Sequence, residues 1–397
     1  MNGILTRIPE SSEDQPTTKT IEIHGQDGVS SVAFLVDGNH VVSSDREGKI
    51  RRWRVEDGVE VGTPMNAGSW VFNIAVSRDG KWIVGGIWQS VQVWNVENGK
   101  KVIEIREHSH WVNALDVSPD STRIASGSFD GIASVWSLST GQRLLGPWKH
   151  ASTVIAVKFS PDGRFIATAT RSSILVYDGQ HGNLVVNVRL PIRVTCSYNH
   201  SLVWSSHSKH LFTVSSGKII CLDASTGVTL SQWSIHGNEY NRIALASDGA
   251  FIAASSGSSV SFWDATTHKQ IGSVIEHTTV AECMAISANS VVAIGGADRI
   301  TLRSLCNILP SSYALRAQYE RPGSSIHCPA SHVLTCFRSL EENIANLEKV
   351  VRDLRHELAA ANQREEILDE TINSLRALDK RSSSSICCSD FHIPTCF

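Results

Sequence analysis

The chain has 397 residues and an apolar fraction of 41%, which suits a water-soluble protein with a sizeable core and more than one structural unit. Its formal net charge of -3 supplies no global basic field, which argues against nucleic acid or an anionic membrane as a partner. Nine cysteines are an odd number scattered through a long chain, so reduced thiols are expected, with Cys196, Cys221 and Cys283 in strand-like segments as small buried hydrophobes.

Residues 1–17 form a polar, disordered leader in this reading: Glu10, Glu13 and Asp14 interrupt any apolar run a signal peptide would need. No later stretch is apolar for long enough to span a bilayer. The expected location is the cytoplasm, with the nucleus also open.

Residues 18–308 carry an internal repeat. Trp53, Trp94, Trp136, Tyr177, Leu222, Trp263 and Arg303 close seven similar segments, KIRRWR, SVQVWN, ASVWS, ILVYD, IICLD, SVSFWD and ITLRS, at intervals of 41, 42, 41, 45, 41 and 40 residues. That period fits four strands per unit of a β-propeller. A turn signal precedes most of them (VDGN, RDGK, SPDS, SPDG, SDGA), where Gly accepts positive φ and Asp bonds its own backbone. Alternating segments on either side of each turn read as strands. A fourth strand follows in six units, at VEVG, KVIEI, QRLLG, NLVVNV, VTLSQW and QIGSVI, and the seventh has no successor. KTIEI at residues 19–23 can supply it, and pairing from the opposite terminus would leave no open edge.

These units resemble WD repeats, with Trp-Asp itself at Trp263-Asp264 and variants at Trp94-Asn95, Trp136-Ser137 and Tyr177-Asp178. The resemblance implies an all-β, seven-bladed propeller closed by the N-terminal strand. It also implies a structural His before the first strand of a unit, matched by His24, His108, His150, His236 and His277, linked to an acid in the next-but-one turn. Asp130 matches that acid best, Glu47 occupies the slot in the first repeat, Asp298 lies near it in the last, and Trp88 replaces it in the second. The fourth to sixth repeats show no clear acid there, and the fifth repeat is the weakest.

Sixteen histidines invite a catalytic or metal reading, but the repeat accounts for five of them, and no phosphate loop, zinc-protease motif or nucleophile elbow is present. Neither an enzyme nor a cofactor is expected. Four aromatics fall outside the repeat's own pattern. Trp70 and Trp111 precede the first strands of the second and third units, Phe129 precedes the turn acid, and Trp88 replaces it. Family geometry would place them at the rim as anchors for a partner; packing between neighbouring units is the competing explanation.

Residues 309–337 read as a linker. A helix over 338–380 opens on Ser339 and Glu342, a capping box, and carries a five-heptad seam. Its a positions are Ile344, Val351, Leu358, Glu365 and Ile372; its d positions are Leu340, Leu347, Leu354, Ala361, Leu368 and Leu375. β-Branched a residues with Leu at d favour a parallel homodimeric coiled coil, whereas a helix folded back on the propeller is the alternative. Residues 381–397 read as a disordered tail. Cys328, His332 and Cys336 are echoed by Cys388, His392 and Cys396, but that spacing is not that of a common zinc finger, so no metal is expected.

The function implied is a non-enzymatic scaffold that binds proteins or peptides and self-associates. An alternative is a ubiquitin-ligase substrate receptor, although the Trp-Asp-x-Arg pattern such propellers often carry is absent after Trp53, Trp94, Trp136 and Trp263. A coronin-like cytoskeletal adaptor shares only the architecture, and a propeller enzyme has no residues to stand on.

Overall fold

The computed structural model describes residues 20–24, 28–190, 202–215, 217–235, 242–306, 308–310 and 313. Within them the chain folds into seven four-stranded antiparallel sheets arranged as a propeller. Each repeat supplies strands a, b and c of one blade from the ring centre outward, and the first six also supply d at the perimeter. In blade 3 these are Val112–Val117, Arg123–Ser128, Ile132–Ser137 and Arg143–Lys149. Each of the seven c strands ends one residue beyond the position that marks its repeat.

Both faces of the inner strands are buried, because each blade packs between two others. Val42, Ile50, Ile74, Ile83 and Trp94 join blades 1 and 2; Val84, Val93, Leu115, Ile124 and Trp136 join blades 2 and 3. Burying one such aliphatic side chain contributes about 1.5–3 kcal/mol, so the interfaces dominate the ring's stability. Cys221 and Cys283 are buried free thiols within these interfaces, and burial pushes the Cys283 thiol up to about 12.

The ring closes as the sequence suggested. Thr20–His24 pairs antiparallel with Arg299–Ser304, the c strand of blade 7, with Ile23 opposite Ile300. Ile23 and Ile300 then meet Val29, Val41 and Trp53 of blade 1 in one cluster, so the strand both completes a sheet and seals an interface.

Two expectations are corrected. Residues 59–62 are not the outer strand of blade 1; that strand is Met65–Asn66, opposite Ile50 and Lys49. The earlier stretch keeps only fragments of a ladder, Arg54 N to Val59 O (2.9 Å) and Val61 N to Arg52 O (2.8 Å). Gly62 then turns the chain at a φ of 78°, and Pro64 has no N–H to offer a ladder. Second, the stretch expected to begin a linker at 309 starts packed: Leu309 is buried beside Phe251 and Phe262, and Tyr313 Oη donates to Asp264 Oδ2 at 2.5 Å. Residues 1–17, His236, Cys196, the helix over 338–380 and both Cys/His segments lie outside the described residues.

Deleting residues 1–23 should therefore expose the edge of Arg299–Ser304 and lower stability by roughly 3 kcal/mol or cause aggregation, whereas deleting 1–16 should leave the melting transition unchanged. Equal melting behaviour for the two truncations would show that this strand does not hold the ring closed.

Candidate functional site

One end of the ring carries the b–c turns and the segments entering each a strand. Trp88, in the b–c turn of blade 2 between Trp82–Gly86 and Val91–Asn95, and Trp111, one residue before strand a of blade 3, face each other as an isolated antiparallel bridge. Gln89 N donates to His110 O (3.2 Å) and Val112 N to Ile87 O (3.0 Å). Gln89 takes a left-handed φ of 58° where blades 1 and 3 have Gly48 and Gly131, and its side-chain amide donates to Ser109 O (3.1 Å). A non-glycine residue there costs about 1 kcal/mol, which these bonds offset. Gly86 permits the close approach, since a Cβ on it would lie 2.3 Å from Val112 O.

The four aromatics singled out from sequence meet here, together with Phe72 and His110, which sequence reasoning missed. Trp70 stacks on Phe72 (centroids 4.1 Å), Phe72 leans on Trp111 (5.1 Å), and Trp111 meets Trp88 edge to face (5.0 Å, 75°). The His110 ring touches Trp88 (5.1 Å), Trp111 (5.0 Å) and Phe129 (5.5 Å). Such pairs contribute about 0.5–1.5 kcal/mol each beyond their buried area, so the cluster is a preorganised block. Its depth is graded. Phe72 is 3% exposed, Trp70, Trp111 and Phe129 are half-buried, and Trp88 is 43% exposed. Trp70 Nε1 donates to Ser30 Oγ (2.7 Å), and the Arg46 guanidinium lies 5.3 Å from the Trp70 ring while reaching Glu282 (3.4 Å).

Beneath this rim, blade 3 holds a continuous polar chain. Trp136 Nε1 donates to Ser126 Oγ (2.8 Å), Ser126 Oγ lies 2.8 Å from His108 Nε2, and His108 Nδ1 lies 3.0 Å from Asp130 Oδ2. Every atom is satisfied if Ser126 donates to Nε2 and Nδ1–H donates to the carboxylate. Burial acts to raise the Asp130 carboxyl, but bonds from His108, Ser109 N and Ile132 N outweigh it and hold it below the usual value.

The family model "WD domain, G-beta repeat" matches residues 15–54, 99–137 and 143–178. The chain carries WD repeats. It is 32% identical over 116 residues to the nuclear distribution protein nudF of Emericella nidulans, covering 28% of this chain and 26% of that protein. It is 48% identical over 50 residues to the small ribosomal subunit protein RACK1y of Oryza sativa, covering 12% and 15%. The DENN domain and WD repeat-containing protein SCD1 of Arabidopsis thaliana is 24% identical over 124 residues, covering 31% of this chain and 10% of that protein. The chain thus spans about a quarter of the length of the nuclear distribution proteins it matches.

The other WD repeats keep less of the polar chain. In blade 4, His150 Nε2 meets Thr168 Oγ1 (2.9 Å) and the Tyr177 hydroxyl (3.5 Å), with no acid; burial lowers the His150 pKa and raises that of Tyr177 to about 12. In blade 7, His277 Nε2 meets Thr301 Oγ1 (2.9 Å), and Asp298 pairs instead with its neighbour Arg299. In blade 1, Trp53 Nε1 donates to Ser43 Oγ (2.8 Å). His24 corrects the expectation of a buried histidine there: it is exposed beside Glu22, because it belongs to the outer strand of blade 7 opposite Arg299. Glu47 is exposed as well. The buried carboxylate of that turn is Asp45, raised by burial despite accepting Lys49 N (2.8 Å) and lying 3.8 Å from Arg51.

Among the described residues no three His, Cys, Asp or Glu side chains group as a metal site would, and no helix is long and apolar enough to cross a membrane. The polar chain of blade 3 has a measurable pH signature. A carboxyl whose folded pKa is depressed stabilises above its unfolded pKa and loses that contribution as pH falls through the folded value. Asp130→Asn should cost about 1–3 kcal/mol at neutral pH and lose less further stability than wild type between about pH 5 and about pH 2. Parallel acid-limb slopes for the two proteins would contradict this.

Proposed function

We propose that this chain is a non-enzymatic protein-interaction scaffold whose blade 2–blade 3 rim binds a peptide or protein partner. The observation that carries the reading is Trp88: a large aromatic left 43% exposed on a block of rings that is otherwise sheltered and hydrogen-bonded. Exposed aromatics held in a fixed orientation lose little conformational entropy on binding, which is why such residues dominate interface energetics. WD-repeat proteins generally act as interaction scaffolds, and the family match is consistent with that role. A cytoplasmic location is part of this proposal.

The graded depth of the cluster separates anchors from packing. Trp88→Ala should weaken partner capture at least about tenfold while lowering the melting temperature less than Trp70→Ala does, because its ring contacts are confined to Trp111 and His110 at the rim. Trp70→Ala should lower the melting temperature, since it removes the stack on Phe72 and leaves Ser30 without its donor. Affinity capture beside thermal melts of both variants decides the matter; an unaltered partner set for Trp88→Ala and for Trp111→Ala would remove the rim from consideration.

The helix from Ser339 makes the scaffold dimeric in this proposal. Support comes from the four-three stepping of Leu340, Ile344, Leu347, Val351, Leu354 and Leu358, continued at Leu368, Ile372 and Leu375. Two rims on one tether would bind a repeated partner with an affinity raised by effective concentration. Leu347→Glu with Leu354→Glu should return the chain to a monomer by light scattering, and Glu365→Leu should tighten the dimer. A wild-type chain that is monomeric at micromolar concentration overturns this part.

A further inference from the structure

The same end of the ring carries a second, uneven distribution, that of charge. Around blades 7, 1 and 2 most cations at this end are neutralised locally: Arg46 meets Glu282, Arg299 meets Asp298 and Glu22, and Arg106 meets Glu104, which leaves Lys49 at the start of strand c of blade 1 beside the exposed Glu47. Beyond the aromatic cluster, on blades 3 to 5, the pattern reverses. Lys149 is the last residue of strand d of blade 3. Arg171 sits in the b–c turn of blade 4, and Arg189 ends its outer strand, Leu184–Arg189, opposite Ser173. Lys218 begins strand c of blade 5, Lys218–Asp223, opposite Ser215 and Ser234.

All four are exposed, and among the described residues none makes a side-chain hydrogen bond or ion pair. The aspartates of blades 4 and 5 cannot neutralise them: Asp178 and Asp223 close their c strands at the opposite end of the ring. Asp130, the acid of the blade 3 turn, is buried and already accepts from His108, Ser109 N and Ile132 N. Among the described residues, unpaired positive charge therefore gathers on blades 3 to 5 of the face that also carries the exposed Trp88, in a chain whose net charge is -3.

We propose that the occupant of this rim is an acidic peptide segment carrying one bulky apolar side chain, that side chain seated against Trp88 and the carboxylates lying along Lys149, Arg171, Arg189 and Lys218. The inference rests on the rim being the binding face and adds the chemistry of the ligand. The arc attracts a segment of opposite charge over about a Debye length and repels a basic one, which sets orientation and association rate. The aromatic niche supplies the short-range, desolvated contact. A cationic side chain is disfavoured in that niche, because its one carboxylate is committed and Arg46 already covers Trp70. A nucleic-acid strand is disfavoured because Trp88 meets Trp111 edge to face and His110 at 56°, forming an angular niche with no succession of parallel faces for bases.

The test uses the full chain and labelled probes in fluorescence anisotropy: a short oligoglutamate with a central Leu, the same peptide with Ala in place of Leu, its counterpart with Lys in place of Glu, and a short single-stranded oligonucleotide. The Leu-bearing acidic peptide should bind at least about tenfold tighter than each of the others and weaken with added salt. Trp88→Ala should bring it to the level of the Ala peptide while still unfolding in one cooperative transition, and Arg171→Glu with Lys218→Glu should abolish binding without a change in melting temperature. Equal or tighter binding of the Lys peptide or the oligonucleotide overturns the proposal, as does indifference of the acidic peptide to the charge reversal. If Trp88→Ala abolishes partner capture while the charge-reversed protein captures normally, the rim remains the binding face and the acidic ligand is wrong.

Discussion

No blade of this ring can bury its own two faces. A four-stranded sheet with Val, Ile and Ala on both sides of its inner strands leaves two apolar surfaces exposed, and only the next blade on each side removes them from water. Everything else follows from that dependence. The inner strands are locked between neighbours, so the turns and entry segments at their ends are fixed in space although they are themselves irregular. Trp88 and Trp111 belong to different repeats, yet their backbones pair because the blade 2–blade 3 interface sets the distance.

The rim cluster shows how packing and recognition can share residues. Phe72 and Trp70 close the space between blades 1, 2 and 3, and in doing so they form the floor on which Trp88 stands. Packing and anchoring are thus successive layers of one structure. The innermost ring serves the fold, the outermost is available to a ligand, and Trp111 and Phe129 couple the two. The same economy appears in blade 3, where the Trp136–Ser126–His108–Asp130 chain pins the b–c turn that presents Phe129.

Much of this was legible in the sequence because strand c of each repeat carries an alternating pattern that ends in a large side chain, and that pattern survives substitution of Trp by Tyr177, Leu222 or Arg303. What escaped was set by tertiary contacts. The outer strand of blade 1 has two residues, too few for any periodicity, and the more strand-like VEVG beside it is diverted at Gly62. Asp45 gave no signal because its burial depends on the neighbouring inner strands, whereas Glu47 held the expected position and faces solvent. Phe72 and His110 were within reach: each lies within two residues of a tryptophan already singled out, in the segments SWVF and HSHW. The single-sequence pattern ranks such residues as ordinary core or loop, and only the meeting of two blades makes them a cluster.

The pairing of Thr20–His24 with Arg299–Ser304 also dictates an order of events during translation. The strand that precedes blade 1 has its partner among the last residues of the repeat array, so it waits unpaired while every intervening blade is made. Through that interval the nascent chain presents an incomplete arc with two apolar end faces, the state in which chains of high contact order are most prone to aggregate or exchange strands. Closure is the final step available to the ring, and a chaperone that shields blade 1 until blade 7 emerges would act on the one stage of biogenesis this topology leaves unprotected.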